Sequence, residues 1–315
     1  MIIKTNEAVK LIKENDNFLI LTHMNPDGDT LGCGFGLCRA LHKLGKKARV
    51  INSDTIPQKF EYMYEGLENE EFEEKFIIAV DIATTALLGE KLSVYKDKVD
   101  LCIDHHGTNT DYAKKTLLDA DAGAACELIY EIVCSLGIQI DKKIADCLYT
   151  GLSTDTGCFK YDNATSRTYH IGANLLDFGA DSAKINRIMF DTKTKTFIRL
   201  YRLALDGMRL HFGDRCAVMK ITQEMYKKTG SNESETDALV PLTRQIEGVI
   251  VGITFKEKPD GTCKASVRTR DGFSASELCK VFGGGGHVQA AATTFDVGVE
   301  EAEKLMLEQV EKMLG

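Results

Sequence analysis

The sequence predicts an α/β protein. The first part reads as a parallel sheet with helices on both faces, followed by a linker helix and a smaller C-terminal α/β domain with a mixed sheet. Three observations carry this. Continuous apolar runs alternate with helical patterns over the first ~120 residues, as in a sheet covered on both faces. Beyond residue 213 the pattern shifts to strands, one of strict period two. The length, 315 residues, exceeds what one core usually holds. The expected division is 1–187, a helical connector at 188–213, and 214–315.

The elements follow in order. Phe18–Leu21, Ala48–Ile51, Phe76–Val80 and residues 99–103 read as strands. Residues 31–44 read as a helix closed by Gly45. The Glu- and Tyr-rich stretch 58–75 is expected to form a solvated helix and loop. From Gly123 the pattern turns helical, over 124–136, 142–152 and 165–178, and 183–210 forms one or two connecting helices. Cys216–Ile221, 248–255 and 263–270 are strands, with a turn at 258–261. After the glycines at 283–286, residues 288–292 are expected to be helical, and Val299–Leu314 is an amphipathic terminal helix.

Composition narrows the class. The chain is 43% hydrophobic and 27% charged, as in soluble globular proteins. No apolar run approaches a membrane span, and the first residues lack the apolar core of a signal peptide, so a cytoplasmic protein is expected. Its ten cysteines include no Cys-x-x-Cys pair. Several sit in apolar runs (Cys102, Cys126, Cys134, Cys147) and are expected to be small buried side chains of a reducing compartment. A formal charge of −8 argues against duplex nucleic acid as a partner, though not against a small phosphate-bearing ligand.

Asp104-His105-His106 stands at the expected C-terminal end of a strand, the sheet edge where open α/β folds bind ligands. Three more acidic signatures share such positions: His23-Met24-Asn25-Pro26-Asp27-Gly28-Asp29, Asp81 and Asp155. Each has a plain alternative, as a turn residue or as the carboxylate that Asp29 would offer to a helix start. Coincidence of all four favours one shared site. His23, Asp27, Asp29, Asp81, His105 and Asp155 suffice for two divalent ions. A carboxylate and imidazole set without thiolate favours Mn2+, with Co2+ or Mg2+ as alternatives. Two such ions clamp the attacking and leaving oxygens of a displacement at phosphorus, with a bridging hydroxide as nucleophile.

In the second domain, Lys264, Ser266, Arg268 and Arg270 share one face of the period-two strand. That face reads either as solvated surface or as an anion site. The nearby Gly284, Gly285 and Gly286, followed by His287, favour the anion site, because glycine lets backbone N–H groups approach a phosphate. Arg244, Gln245 and Lys280 are expected at the surface.

These motifs, in this order, resemble the DHH phosphoesterase family, and the second half resembles its DHHA1 domain. The resemblance implies that His23, Asp27 and Asp81 bind one ion. Asp29, Asp81, His105 and Asp155 would bind the other, with Asp81 shared. It implies catalytic roles for Asp81, for Asp104 through a hydrogen bond to the ligand shell, and for His106 beside the scissile phosphate. It implies that Ser266, Arg268, His287 and the glycines bind the substrate's terminal phosphate or base. The Ser-Arg-Lys-Lys-Gln signature of family II pyrophosphatases is missing, which disfavours that branch. So is an added single-strand-binding domain, which disfavours long-chain exonucleolysis. The expected substrates are single-stranded RNA of two to five nucleotides, linear dinucleotides and 3′-phosphoadenosine 5′-phosphate (pAp). Hydrolysis of cyclic di-AMP is the alternative, followed by a non-catalytic nucleotide sensor. No membrane partner is expected, and a homodimer is left open.

Overall fold

The computed structural model describes residues 1–68, 71–270 and 272–315. The chain divides into two compact units, Met1–Thr192 and Lys193–Gly315.

The first unit runs β1 (Ile2–Ile3), α1 (Thr5–Glu14), β2 (Phe18–Leu21), α2 (Gly28–Lys43), β3 (Ala48–Ile51), α3 (Glu61–Tyr64), β4 (Phe76–Val80), α4 (Gly89–Leu92), β5 (Leu101–Asp104) and β6 (Lys115–Leu118). It continues with α5 (Ala125–Ser135), α6 (Lys142–Asp155), α7 (Ser166–Asp177) and α8 (Ser182–Asn186). The strands form one sheet in the order β1-β6-β5-β4-β2-β3, and every pairing is parallel. Period two sorts its core onto two faces. Phe18, Ile20, Ile78, Val80, Leu101 and Ile103 pack with α1, α2, α5 and α6. Leu19, Leu21, Ile77, Ala79 and Cys102 pack on the other side with Leu88 and Leu92. Strand order reverses between β2 and β4, and the metal-capable residues follow the C-terminal ends of β2, β4 and β5, at this switch point.

The seam between α2 and α6 sets the spacing of that corner. Gly28, Gly32 and Gly36 recur every fourth residue, so they share one face of α2. A Cβ on them would fall 2.3 Å from Thr154 Oγ1, 2.5 Å from the Cys147 carbonyl and 2.9 Å from Leu148 Cδ2. Only glycine permits so close an approach.

The second unit contains α9 (Lys195–Asp206), β7 (Arg209–His211), β8 (Cys216–Ile221), α10 (Gln223–Thr229), α11 (Leu242–Gln245), β9 (Val251–Glu257), β10 (Cys263–Thr269), α12 (Ala275–Lys280), β11 (Gly285–His287), β12 (Ala290–Phe295) and α13 (Val299–Leu314). Its sheet has the order β11-β12-β10-β9-β8-β7. It is mixed: β8 and β9 are parallel and the other pairs antiparallel.

Three expectations are corrected. Residues 288–292 are not a helix: Ala290 begins strand β12, which pairs with β10 and β11. Alanine's helix preference is a weak prior, and ladder pairing with burial of Ala291, Thr293 and Phe295 outweighs it. The stretch 58–75 is not wholly solvated, since Phe60 and Met63 are buried against Leu31 and Phe35 of α2, while residues 69–70 lie outside the described residues. Cys134 is exposed, on the outer side of α5. The short strands β1, β6, β7 and β11 had no apolar run long enough to signal them. Among the described residues, no helix is long and apolar enough to cross a membrane.

Candidate metal centre and phosphate-binding face

Each acidic or imidazole group of the first unit is placed by the end of an element. His23 follows β2, Asp81 follows β4, Asp104 ends β5, and Asp155 ends α6. Asp27 is the N-cap of α2, where one carboxylate oxygen accepts the N–H groups of Asp29 (3.0 Å) and Thr30 (3.1 Å). Capping therefore falls to Asp27 and not to Asp29. The Asp29 carboxylate instead reaches the start of α5, accepting from Ala125 N (2.6 Å) and Cys126 N (3.0 Å). That helix start offers free N–H groups and positive dipole charge to an otherwise buried anion.

The six residues come together as two groups that adjoin at Asp81. His23 Nε2 lies 3.6 Å from Asp27 Oδ1 and 3.5 Å from Asp81 Oδ2. His105 Nε2 lies 3.6 Å from Asp81 Oδ1, 3.5 Å from Asp155 Oδ2 and 3.9 Å from Asp29 Oδ2. The sets His23/Asp27/Asp81 and Asp29/His105/Asp155 each offer three ligand atoms within 4.8 Å of one another. Backbone carbonyls fix both imidazoles. His23 Nδ1 donates to Met24 O (2.8 Å) and His105 Nδ1 to Ala122 O (3.1 Å). A carbonyl can only accept, so in the neutral ring each Nε2 turns a lone pair into the cluster.

The electrostatics show what the cluster lacks. Burial, then the charge of Asp29, raises the Asp81 pKa to about 7. Burial and Asp29 likewise raise Asp155 to about 8. Burial opposes the charged form of His23, yet its contacts with Asp27 and Asp81 carry its pKa up to about 11. Asp81 Oδ1 is buried without a hydrogen-bond partner among the described residues. Its backbone sits at φ +58°, a left-handed conformation that costs a non-glycine residue ~1–2 kcal/mol. An unsatisfied oxygen and mutually repelling carboxylates are what cation binding would relieve. The residues present therefore fit a pair of hard divalent ions.

His106 differs from His105. Its Nδ1 lies 2.8 Å from Asp104 Oδ1 and 3.5 Å from Asp81 Oδ1, and the side chain is 43% exposed. Its hydrogen bond to Asp104 raises its pKa to about 9. Asp104 Oδ2 accepts from Asn109 Nδ2 at 2.6 Å, an orienting contact that no motif signalled. Beyond Asp155 the chain makes a left-handed turn: Gly157, Cys158 and Phe159 have φ of +56°, +60° and +61°.

In the second unit, Lys264, Ser266 and Arg268 line one cavity of about 330 Å³, with Lys256, Gly285 and Ala290 to Ala292. Lys256 was not foreseen. It lies directly opposite Lys264 in the β9–β10 ladder, at the end of an apolar run that gives no sign of it. The glycines separate by role. A Cβ on Gly284 would fall 2.3 Å from Ala292 O, and one on Gly286 2.6 Å from Ala290 O, so both admit close strand packing. Gly285 faces open space within the cavity lining. His287 ends β11, is exposed, and is not among the lining residues. Arg270 turns instead to the carbonyl of Arg244.

Residues 17–152 match the DHH family, N-terminal domain, and residues 213–315 match the DHHA1 domain. Over 302 residues the chain is 30% identical to the bifunctional oligoribonuclease and PAP phosphatase of Thermus thermophilus, covering 94% of this chain and 89% of that protein. The chain belongs to the DHH family. The cyclic-di-AMP phosphodiesterase of Geobacillus thermodenitrificans is 24% identical over 96% of this chain and 48% of its own length. The crystal structure of an exopolyphosphatase-related protein from Bacteroides fragilis superposes with a TM-score of 0.89 at 26% identity, covering 98% of this chain and 95% of that one. In this DHH chain the matched N-terminal domain contains every residue of the cluster except Asp155, which lies three residues past its end.

Proposed function

We propose that this phosphoesterase hydrolyses short single-stranded oligoribonucleotides, linear dinucleotides and pAp, using two divalent ions, Mn2+ foremost. The observation that carries the reading is Asp81, whose two oxygens face different ligand groups and whose Oδ1 has no hydrogen-bond partner among the described residues. His23, Asp27 and Asp81 would hold one ion, and Asp29, Asp81, His105 and Asp155 the other. When bound, such ions supply Lewis-acid stabilisation of phosphoryl oxygens and a nucleophile at neutral pH.

The chain's own groups do the rest. Asp104 orients His106 through Nδ1 and favours its cationic form. The other ring nitrogen of His106 is then an N–H donor for a phosphoryl oxygen whose charge grows in the transition state. Arg268, Ser266, Lys264 and the backbone at Gly285 bind the non-reacting phosphate, with His287 as a further donor. The name of the Thermus thermophilus relative supports this choice of substrates.

Cyclic di-AMP hydrolysis is the second reading, supported by the likeness to the Geobacillus thermodenitrificans phosphodiesterase. The test is a competition: purified protein with Mn2+ and equal amounts of pAp, an RNA trimer, an RNA 24-mer and cyclic di-AMP, with products separated by anion exchange. Loss of pAp and trimer with the 24-mer spared is expected. Preferential loss of cyclic di-AMP would replace the first reading by the second, and no turnover at all would restore the sensor.

A further inference from the structure

The left-handed turn after Asp155 has no part in holding the cluster, yet it is hydrogen-bonded to Asp155 and the residues beside it. Cys158 N donates to Ser153 O (2.7 Å), and Lys160 N and Tyr161 N donate to Thr156 O (2.9 and 3.1 Å). Asn163 Nδ2 closes the loop onto Asp155 O at 3.2 Å. Two non-glycine residues, Cys158 and Phe159, stand in a conformation that L-residues avoid, and such strain persists where the surroundings over-determine it, often at ligand sites.

The turn displays one aromatic ring. Tyr161 is 57% exposed, although its ring lies across Gly157, where a Cβ would come within 2.3 Å of it. Its hydroxyl makes no hydrogen bond to a described residue, so the hydroxyl does not explain the position. The neighbouring Tyr169 is different: its hydroxyl donates to Phe159 O and its ring packs on Phe159. Tyr161 thus has its ring set against Gly157, four residues before it and two after Asp155, while more than half of the residue's surface is exposed.

We propose that Tyr161 is a stacking platform for a nucleobase of the substrate, held by the left-handed turn at a set distance from the Asp155 carboxylate. A flat, exposed ring suits a purine or pyrimidine, and stacking tolerates any base because every base has a π-face. The proposal rests on the reading of the substrate as a nucleotide and adds the contact for its base.

The test uses the absence of tryptophan from the sequence. Tyr161→Trp installs a single indole whose emission reports on the ring. At fixed Mn2+, AMP should quench it saturably, whereas ribose 5-phosphate, which lacks the base, should not. In parallel, Tyr161→Ala should raise KM for pAp about 5- to 150-fold with a smaller change in kcat, while Tyr161→Phe stays near wild type. Equal responses to AMP and ribose 5-phosphate, or no response to either, would overturn the proposal. If the Trp variant does not fold, the Ala and Phe variants decide, and equal behaviour of the two overturns it. Wild-type turnover of pAp and trimer, measured alongside, shows separately whether the parent reading stands.

Discussion

The two units display polar groups in opposite ways. In the first, six acidic and imidazole groups from the ends of β2, β4, β5 and α6 and the start of α2 converge where burial raises their energy. In the second, Lys264, Ser266 and Arg268 come from alternate positions of one strand and need no convergence. A reacting centre requires groups fixed from several directions, whereas an anion-binding face can be built from local period-two geometry. The first should therefore govern turnover and the second affinity.

The comparison is broken most directly by two substitutions. Asp81→Ala should lower kcat with Mn2+ by at least about 10³-fold. Arg268→Ala should raise KM about tenfold with kcat largely kept. Steady-state kinetics on pAp and a trimer reads both, and full activity of the Asp81 variant would sink the two-ion mechanism. Next in size is metal linkage. Mn2+ at 100 times Kd should stabilise the wild type by about 2.7 kcal/mol for each ion bound and Asp81→Ala much less. A thermal melt with and without Mn2+ measures this.

A smaller effect sharpens the reading of the glycines. Gly284→Ala should destabilise by about 1–3 kcal/mol through its clash with Ala292, whereas Gly285→Ala should keep stability and weaken phosphate binding. Urea titration paired with KM separates the two. The smallest concerns pH. The pKa of His106 is raised in the folded protein to about 9. Its ion pair with Asp104 therefore stabilises fully below the unfolded value near 6.5, and that stability fades as pH rises through about 9. Melting temperature of the metal-free wild type should fall over that interval more than that of Asp104→Asn. Parallel curves would show that the pair carries no such linkage.

Legibility in the sequence follows the same division. The strands at Phe18–Leu21 and Phe76–Val80 were readable because both sheet faces are covered, so each is a continuous apolar run. The cluster residues were readable because strand ends place them and their types are chemically restrictive. What escaped depends on distant partners. Nothing near Asp29 announces that its carboxylate will meet N–H groups of Ala125 and Cys126, nearly a hundred residues later. Lys256 gains meaning only from the register that sets it against Lys264. The alanines of β12 read as helix because propensity is local, whereas their pairing with β10 is not.

The glycine seam of α2 gives the cluster a mechanical property. Asp29 rides on one helix and Asp155 ends the other, so the spacing between α2 and α6 is also the spacing between two candidate ligands. A methyl group at Gly32 would act as a wedge against the Cys147 carbonyl, shifting Asp29 relative to Asp155. The seam is thus a bearing that sets the gauge between two candidate ligands as well as the packing of the core.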